Sequence, residues 1–349
     1  MRKGYIIIVF VLCLAMIVSG CSNKNQGKIP VSSEEDELPP VEAPIQEQPS
    51  EASQLLCPLT GLPIEEEALA LRPIAVMIDN YPSARPQSGL MNAEIVYEIP
   101  AEGGITRYMA IYHHLDTEKI GPVRSARSYF IDKAIEYNAV YLHCGGSPEA
   151  LKDIKTLKVD SLNELTGERN FWRANDRKAP HNLYTSTKLT RELMDTKGLS
   201  EKKWSYNMNI SKEFINLDGK VVNNLIIDYK QKYKVGYQYD QDKKIFFRTI
   251  NGERLKDKET GTEISTVNII IEKVSSKVVD EVGRLDLDNI GSGKGYFLTG
   301  GKQIEIEWSK ESRQAKTIYK DLKGNPIQLN KGNTWVQVIP DNATIEFKE

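Results

Sequence analysis

Cysteine, histidine and unbalanced charge are all scarce in this chain of 349 residues. The four cysteines, Cys13, Cys21, Cys57 and Cys144, form no Cys-x-x-Cys pair of the kind that holds a metal. The four histidines all lie between His113 and His181. His113 and His114 are neighbours on a predicted strand, where successive side chains point to opposite faces, so they are not expected to share an ion. No metal site and no cofactor is predicted. Forty-six basic residues stand against 48 acidic ones, without a long basic stripe, which excludes bulk affinity for nucleic acid. No Gly-x-Gly-x-x-Gly fingerprint and no phosphate-binding loop with its lysine and hydroxyl is present.

Long apolar runs are missing too, apart from residues 5–18, a stretch too short to span a bilayer comfortably. It follows Arg2 and Lys3 and reads as a signal peptide over residues 1–20. Val18, Ser19, Gly20 and Cys21 resemble a bacterial lipobox, in which small residues precede a cysteine that carries diacylglycerol, palmitate being one such acyl chain. Several acyl chains on one cysteine, at about 0.8 kcal/mol per buried methylene, hold a protein firmly to a membrane. Residues 31–53 contain seven acidic side chains, four prolines and no basic residue. Too little apolar surface is available there to offset the entropy of ordering, so residues 21–55 read as a disordered acidic tether. Cys13 leaves with the signal peptide, which leaves Cys57 and Cys144 open to one disulfide; whether they lie near enough is not legible in the sequence.

The rest suffices for two cores: an N-terminal α/β domain over 56–200, a joint at 201–224, and a β-rich domain over 225–349. The apolar run 71–79 predicts a buried strand delivering Asp79 at its end, and 93–99 and 105–112 predict a hairpin through Glu102-Gly103-Gly104. Arg107 shares a face with Ile105, Met109 and Ile111, so it needs a carboxylate or an anion. Arg124 and Arg127 flank a helix start expected near Ser125, a position whose electrostatics favour negative charge. An outside anion would resolve this, as would pairing with Asp79, Glu98 or Glu102. His143-Cys144-Gly145-Gly146-Ser147 reads as a strand, a glycine turn and a helix cap whose amides could cradle an oxyanion beside His143. Arg173, Arg177, His181 and Asn182 lie in a loop before a helix predicted at 187–196. The candidate anion-binding residues are therefore Arg107, Arg124, Arg127, Arg173 and Arg177, and the candidate acid, base or polar residues are Asp79, Glu102, His143, Ser147, His181 and Asn182.

Beyond residue 225, turn signals separate short runs rich in Ile, Val, Thr, Tyr and Phe, which predict a mainly antiparallel sheet. Gly291-Ser292-Gly293-Lys294-Gly295 reads as a hairpin connection, and Trp308 and Trp335 as core residues or, less simply, sugar-stacking platforms. The fold class expected is α+β.

Several segments together resemble the YerB-like bacterial lipoprotein family: Arg72-Pro73-Ile74 through Asp79-Asn80, Ala84 through Leu90, Glu102-Gly103-Gly104-Ile105-Thr106-Arg107, Ile120 through Arg127, His143 through Ala150, and Ala179-Pro180-His181-Asn182. Trp308, Gly324 and Gly332-Asn333-Thr334-Trp335 resemble its C-terminal region. The resemblance covers about residues 57–340 and implies a two-part lipoprotein. The family is one of unknown function, so no catalytic residues carry over. The expected role is an extracytoplasmic protein of the cell envelope, lipid-anchored to the cell membrane, that binds an anionic wall component or an envelope protein. The alternative is a hydrolase or transferase acting on cell-wall polymers.

Overall fold

The structure, a computed structural model, describes residues 54–229 and 233–349. The expected signal peptide, the expected lipidation site Cys21 and the expected tether up to residue 53 lie outside the described residues. The strands β1 (Ile74–Ile78), β2 (Ile95–Pro100), β3 (Thr106–Tyr112), β4 (Val140–His143) and β5 (Ser161–Asn163) come from the N-terminal half. From the C-terminal half come β6 (Asn268–Val274), β7 (Gly291–Thr299), β8 (Lys302–Lys310), β9 (Ile318–Asp321) and β10 (Thr334–Pro340). All ten belong to one eleven-stranded sheet in the order β9-β8-β7-β6-β10-β2-β3-β1-β4-β5, with the short strand Lys220–Val221 added on β8. The sheet is mixed: β1–β4, β4–β5, β2–β10 and β6–β10 run parallel and the other neighbours antiparallel. The fold is α+β and mainly β.

Strands β1, β2 and β3 are buried along their whole length, because both faces of this part of the sheet are covered. Side-chain alternation divides them between two cores. After the short helix α1 (Glu66–Leu69), helix α2 (Ser128–Glu136) packs Phe130, Ile131 and Ala134, with its C-cap Tyr137, into one core with Ala75, Met77, Tyr97, Met109 and Ile111. Ile74, Val76, Ile78, Tyr108 and Ala110 join a core that takes in Leu225, Ile227, Val235, Tyr237 and Phe246 from a second, six-stranded antiparallel sheet. Each fully buried side chain of this size contributes about 1.5–3 kcal/mol.

The two halves contribute strands to one sheet. Strand β10 pairs with β2 from Ile95↔Thr334 to Glu98↔Gln337, and buried ion pairs cross the expected boundary. Lys133 of α2 meets Glu272 of β6 at 2.9 Å, Glu136 meets Lys310 of β8 at 2.8 Å, and Glu98 of β2 meets Arg248 at 2.5 Å. All six side chains are fully buried, where an unpaired charge would cost several kcal/mol. The stretch 201–224, expected as a joint, crosses the core. Tyr206 stacks on Tyr137, Met208 N–H donates to Pro58 O at 2.9 Å, and Ser211 N–H donates to Leu329 O at 2.9 Å.

Two local expectations change, and a third, the two tryptophans as core residues, holds. Helix α2 starts at Ser128 rather than Ser125, because the amides of Arg124 and Ala126 donate to Met77 O and Gly145 O and keep that segment extended. The 291–295 glycines lie inside β7, where a Cβ at Gly293 would meet the Trp308 ring at 2.6 Å and one at Gly295 the Ile271 carbonyl at 2.0 Å. Trp308 and Trp335 are 2% and 1% exposed and serve as core.

Candidate functional site

Asp79 ends β1 as expected and is 1% exposed. Its amide donates to Pro122 O at 2.8 Å, and its Oδ1 accepts Tyr81 N–H at 3.0 Å, which turns the chain sharply after the strand. The other oxygen, Oδ2, lies 2.7 Å from His181 Nδ1. Arg124 Nε stands 3.3 Å from the same oxygen, yet that donor is buried and not aligned for a hydrogen bond. The exposed ring of Tyr81 stacks on His181 with centroids 5.3 Å apart and planes 11° apart. Among the described residues nothing accepts from the Arg124 terminal nitrogens, and its side chain is 27% exposed. Asp79, His181 and Arg124 thus form one cluster, with Arg124 ion-paired to Asp79 through a misaligned Nε and its terminal nitrogens without acceptors among the described residues.

The loop that carries His181 is fixed by the other predicted residues. Arg177 donates to Ala84 O and Pro86 O, both at 2.6 Å. Arg173 donates to Asn182 Oδ1 and Glu164 Oε1, each at 3.1 Å, and Asn182 donates back to Ala174 O at 2.9 Å. These groups position the loop, and their hydrogen bonds are already used.

Arg107 and Arg127 share one carboxylate. Arg107 Nη2 donates to Glu102 Oε2 at 3.0 Å, and Arg127 Nε makes a short bond to Glu102 Oε1. Each guanidinium also donates to a carbonyl, Arg107 to Ser125 O and Arg127 to Ala126 O. Burial alone would raise the Glu102 pKa, but the Arg127 hydrogen bond and the two guanidinium charges hold it below its usual value. Arg127 occupies the N-cap of α2 without capping it, and the long-range Glu102 relieves the unfavourable charge there.

His143 and Ser147 do not join the cluster. His143 is 1% exposed, donates through Nδ1 to Gly145 O at 2.7 Å, and has its pKa lowered by burial. Ser147 accepts Ala150 N–H at 3.2 Å as the cap of α3 (Pro148–Thr156). The Gly145 amide is taken by Asn163 Oδ1 at 2.9 Å, so the expected oxyanion cradle has one fewer free donor. The possible Cys57–Cys144 disulfide is not formed in this structure. Both thiols are free: Cys57 lies 3.6 Å from His113 Nδ1, and Cys144 donates to Glu164 Oε2 at 3.2 Å. Burial pushes the Cys144 thiol up to about 11, which leaves it a poor nucleophile.

One grouping escaped the sequence reading: Cys57, Glu94, His113 and His114, whose potential ligand atoms all lie within 4.8 Å of one another. The signal was the adjacent histidine pair. Alternation separates such a pair only on a strand, but β3 ends at Tyr112 and the chain bends after it, so both rings turn toward Glu94.

Comparison with known proteins shows two matches that together cover most of the folded chain: "Protein of unknown function (DUF3048) N-terminal domain" over residues 59–200 and the corresponding C-terminal domain over 225–336. A Bacillus subtilis (strain 168) protein named "Putative lipoprotein YerB" is 36% identical over 300 residues, covering 84% of this chain and 88% of that protein. The crystal structure of the YerB protein from Bacillus subtilis aligns with a TM-score of 0.76 and 34% identity, over 84% of this chain and all of that one. With both halves matched and this level of identity across the shared sheet, the chain belongs to the DUF3048 family.

Proposed function

We propose that this protein is an extracytoplasmic lipoprotein of the cell envelope, anchored to the membrane through Cys21, and that it binds an anionic group of a wall component or envelope protein at Arg124 and His181. The name of the Bacillus subtilis relative and the Val18-Ser19-Gly20-Cys21 motif support the anchor. Among the described residues no helix is long and apolar enough to cross a membrane. Fatty-acid labelling that is lost in Cys21→Ala is the expected result; unchanged labelling would reject it.

The binding reading rests on Arg124. Its buried Nε has no aligned acceptor, its terminal nitrogens are unpaired among the described residues, and its one charge partner already bonds His181. The buried Nε left without an acceptor costs about 1–3 kcal/mol, which a bound carboxylate or phosphate would help to recover. Tyr81 stacked on His181 supplies an aromatic wall, and His181 Nε2, without a hydrogen-bond partner among the described residues, offers a further polar contact. The test is thermal denaturation with muropeptides and phosphate-rich wall polymers. A ligand at a hundred times its Kd stabilises by about 2.7 kcal/mol. The shift should disappear in Arg124→Ala, whereas a shift that survives this substitution places the ligand elsewhere.

The 2.7 Å contact between Asp79 and His181 also favours a second reading, a hydrolase or transferase of wall polymers. Asp79 would orient the imidazole and His181 would act as the base. Wall-polymer turnover lost in both Asp79→Asn and His181→Gln would support it, and turnover unchanged in either would exclude it.

A further inference from the structure

We propose that Cys57, Glu94, His113 and His114 form a four-coordinate zinc site that fastens the turn at Cys57 to the centre of the large sheet. The four residues come from three places: Cys57 from the turn before the first helix, Glu94 from the residue before β2, and the histidines from the bend after β3. In the β1–β3 pairing, Tyr112 lies opposite Ile74 and Tyr108 opposite Ile78. The histidines therefore sit at the end of β3 remote from Arg107 and from Asp79, and the site is independent of the proposed binding surface.

The separations fit a tetrahedral ion. Zinc bonds of about 2.3 Å to sulfur and 2.0–2.1 Å to nitrogen or oxygen place S and N about 3.6 Å apart, and N and O about 3.3 Å apart. Cys57 Sγ and His113 Nδ1 are 3.6 Å apart; His114 Nδ1 and Glu94 Oε1, at 2.8 Å, need a small opening. The set of one thiolate, two imidazoles and one carboxylate suits zinc rather than the hard, all-oxygen cations. On binding, the Cys57 thiol loses its proton to solvent, and thiolate plus carboxylate cancel the charge of the dication, so the buried site is neutral.

Two features of the cluster are ones that a bound ion would complete. Glu94 is fully buried and accepts the amides of His113 and His114, at 2.9 and 3.0 Å, but no lysine or arginine makes an ion pair with it among the described residues. His114 Nδ1 is buried and lies close to Glu94 Oε1 off the direction of an N–H bond, so no hydrogen bond joins them. That nitrogen has neither donor nor acceptor partner, the condition of a lone pair awaiting a Lewis acid. The carboxylate's two amide bonds orient it from behind, as outer-shell contacts do in metal sites. Cys57 is 1% exposed and begins a tight turn, with Thr60 and Gly61 amides returning to its carbonyl. A zinc ion would tie this turn, near the first of the described residues, directly to the two central strands.

The test uses the full chain in detergent, stripped of metal and reloaded. Wild type should bind one zinc per chain by elemental analysis and melt higher when loaded, with calcium and magnesium giving no such effect. Cobalt(II) substitution should give tetrahedral ligand-field bands and a thiolate-to-cobalt charge-transfer band. Cys57→Ser should abolish the charge-transfer band, and His114→Gln should weaken zinc binding on the order of a hundredfold or more. Should a variant fail to fold, the cobalt spectrum of wild type decides alone. No stoichiometric zinc, a cobalt complex without the thiolate band, or undiminished affinity in folded Cys57→Ser would each overturn the site and leave a protonated His114 paired with Glu94.

Discussion

Replacing Glu102 with glutamine should destabilise the protein more than removing Arg124, the cation nearest the proposed binding surface. Glu102, Arg107 and Arg127 have side chains 14%, 9% and 12% exposed, so this carboxylate neutralises two guanidiniums in a largely dry setting. Breaking a buried pair by removing one partner costs about 3–5 kcal/mol. Each arginine keeps one carbonyl acceptor and the amide oxygen of glutamine retains a third bond, which points to the lower end, about 3 kcal/mol. With about 2.1 cal/mol/K of unfolding entropy per residue over nearly 300 folded residues, this lowers the thermal midpoint by about 5 °C. Arg124→Ala deletes only a half-open, misaligned ion pair and should cost less than about 1 kcal/mol. Melting is followed by circular dichroism in buffer free of phosphate and sulfate. A Glu102→Gln midpoint within about 1 °C of wild type would refute the reasoning, because the two arginines would then not depend on this carboxylate.

Acid should act in two steps. His143 is kept neutral by burial, so below its usual 6.5 the unfolded chain takes up a proton that the folded one refuses, and stability should fall with pH from there; His143→Gln should flatten that slope. Glu102, held below its usual 4.5, stabilises above that value and loses the contribution as pH drops through its lower folded pKa; midpoints measured across this range should fall less steeply in Glu102→Gln. Limited proteolysis within 201–224 should leave the two fragments associated through β2 and β10, and their separation on native gel filtration would contradict the shared sheet. Denatured, chelator-treated and unreduced mature protein should titrate as two free thiols, Cys57 and Cys144, and none would restore the disulfide.

Local patterns in the chain determined a good deal of this protein. The apolar run ending in Asp79, the Glu102-Gly103-Gly104 hairpin, the Ser147-Pro148 helix start and the 187–196 helix follow from side-chain periodicity, glycine geometry and capping within a few residues. The charge problem at Arg107, Arg124 and Arg127 was legible as well, because no acid stands one helical turn away. Tertiary structure decided which acids answer it: Glu102 takes two of the arginines, while Asp79 is drawn to His181, 102 residues on, leaving Arg124 incompletely paired. It also decided that the halves are one body, since the pairing of Ile95 with Thr334 depends on strand order, which no local pattern encodes. The Cys57, Glu94, His113 and His114 cluster is of the same kind. Its members are ordinary in sequence, and only the end of β3 at Tyr112 and the turn at Cys57 bring their ligand atoms to one point.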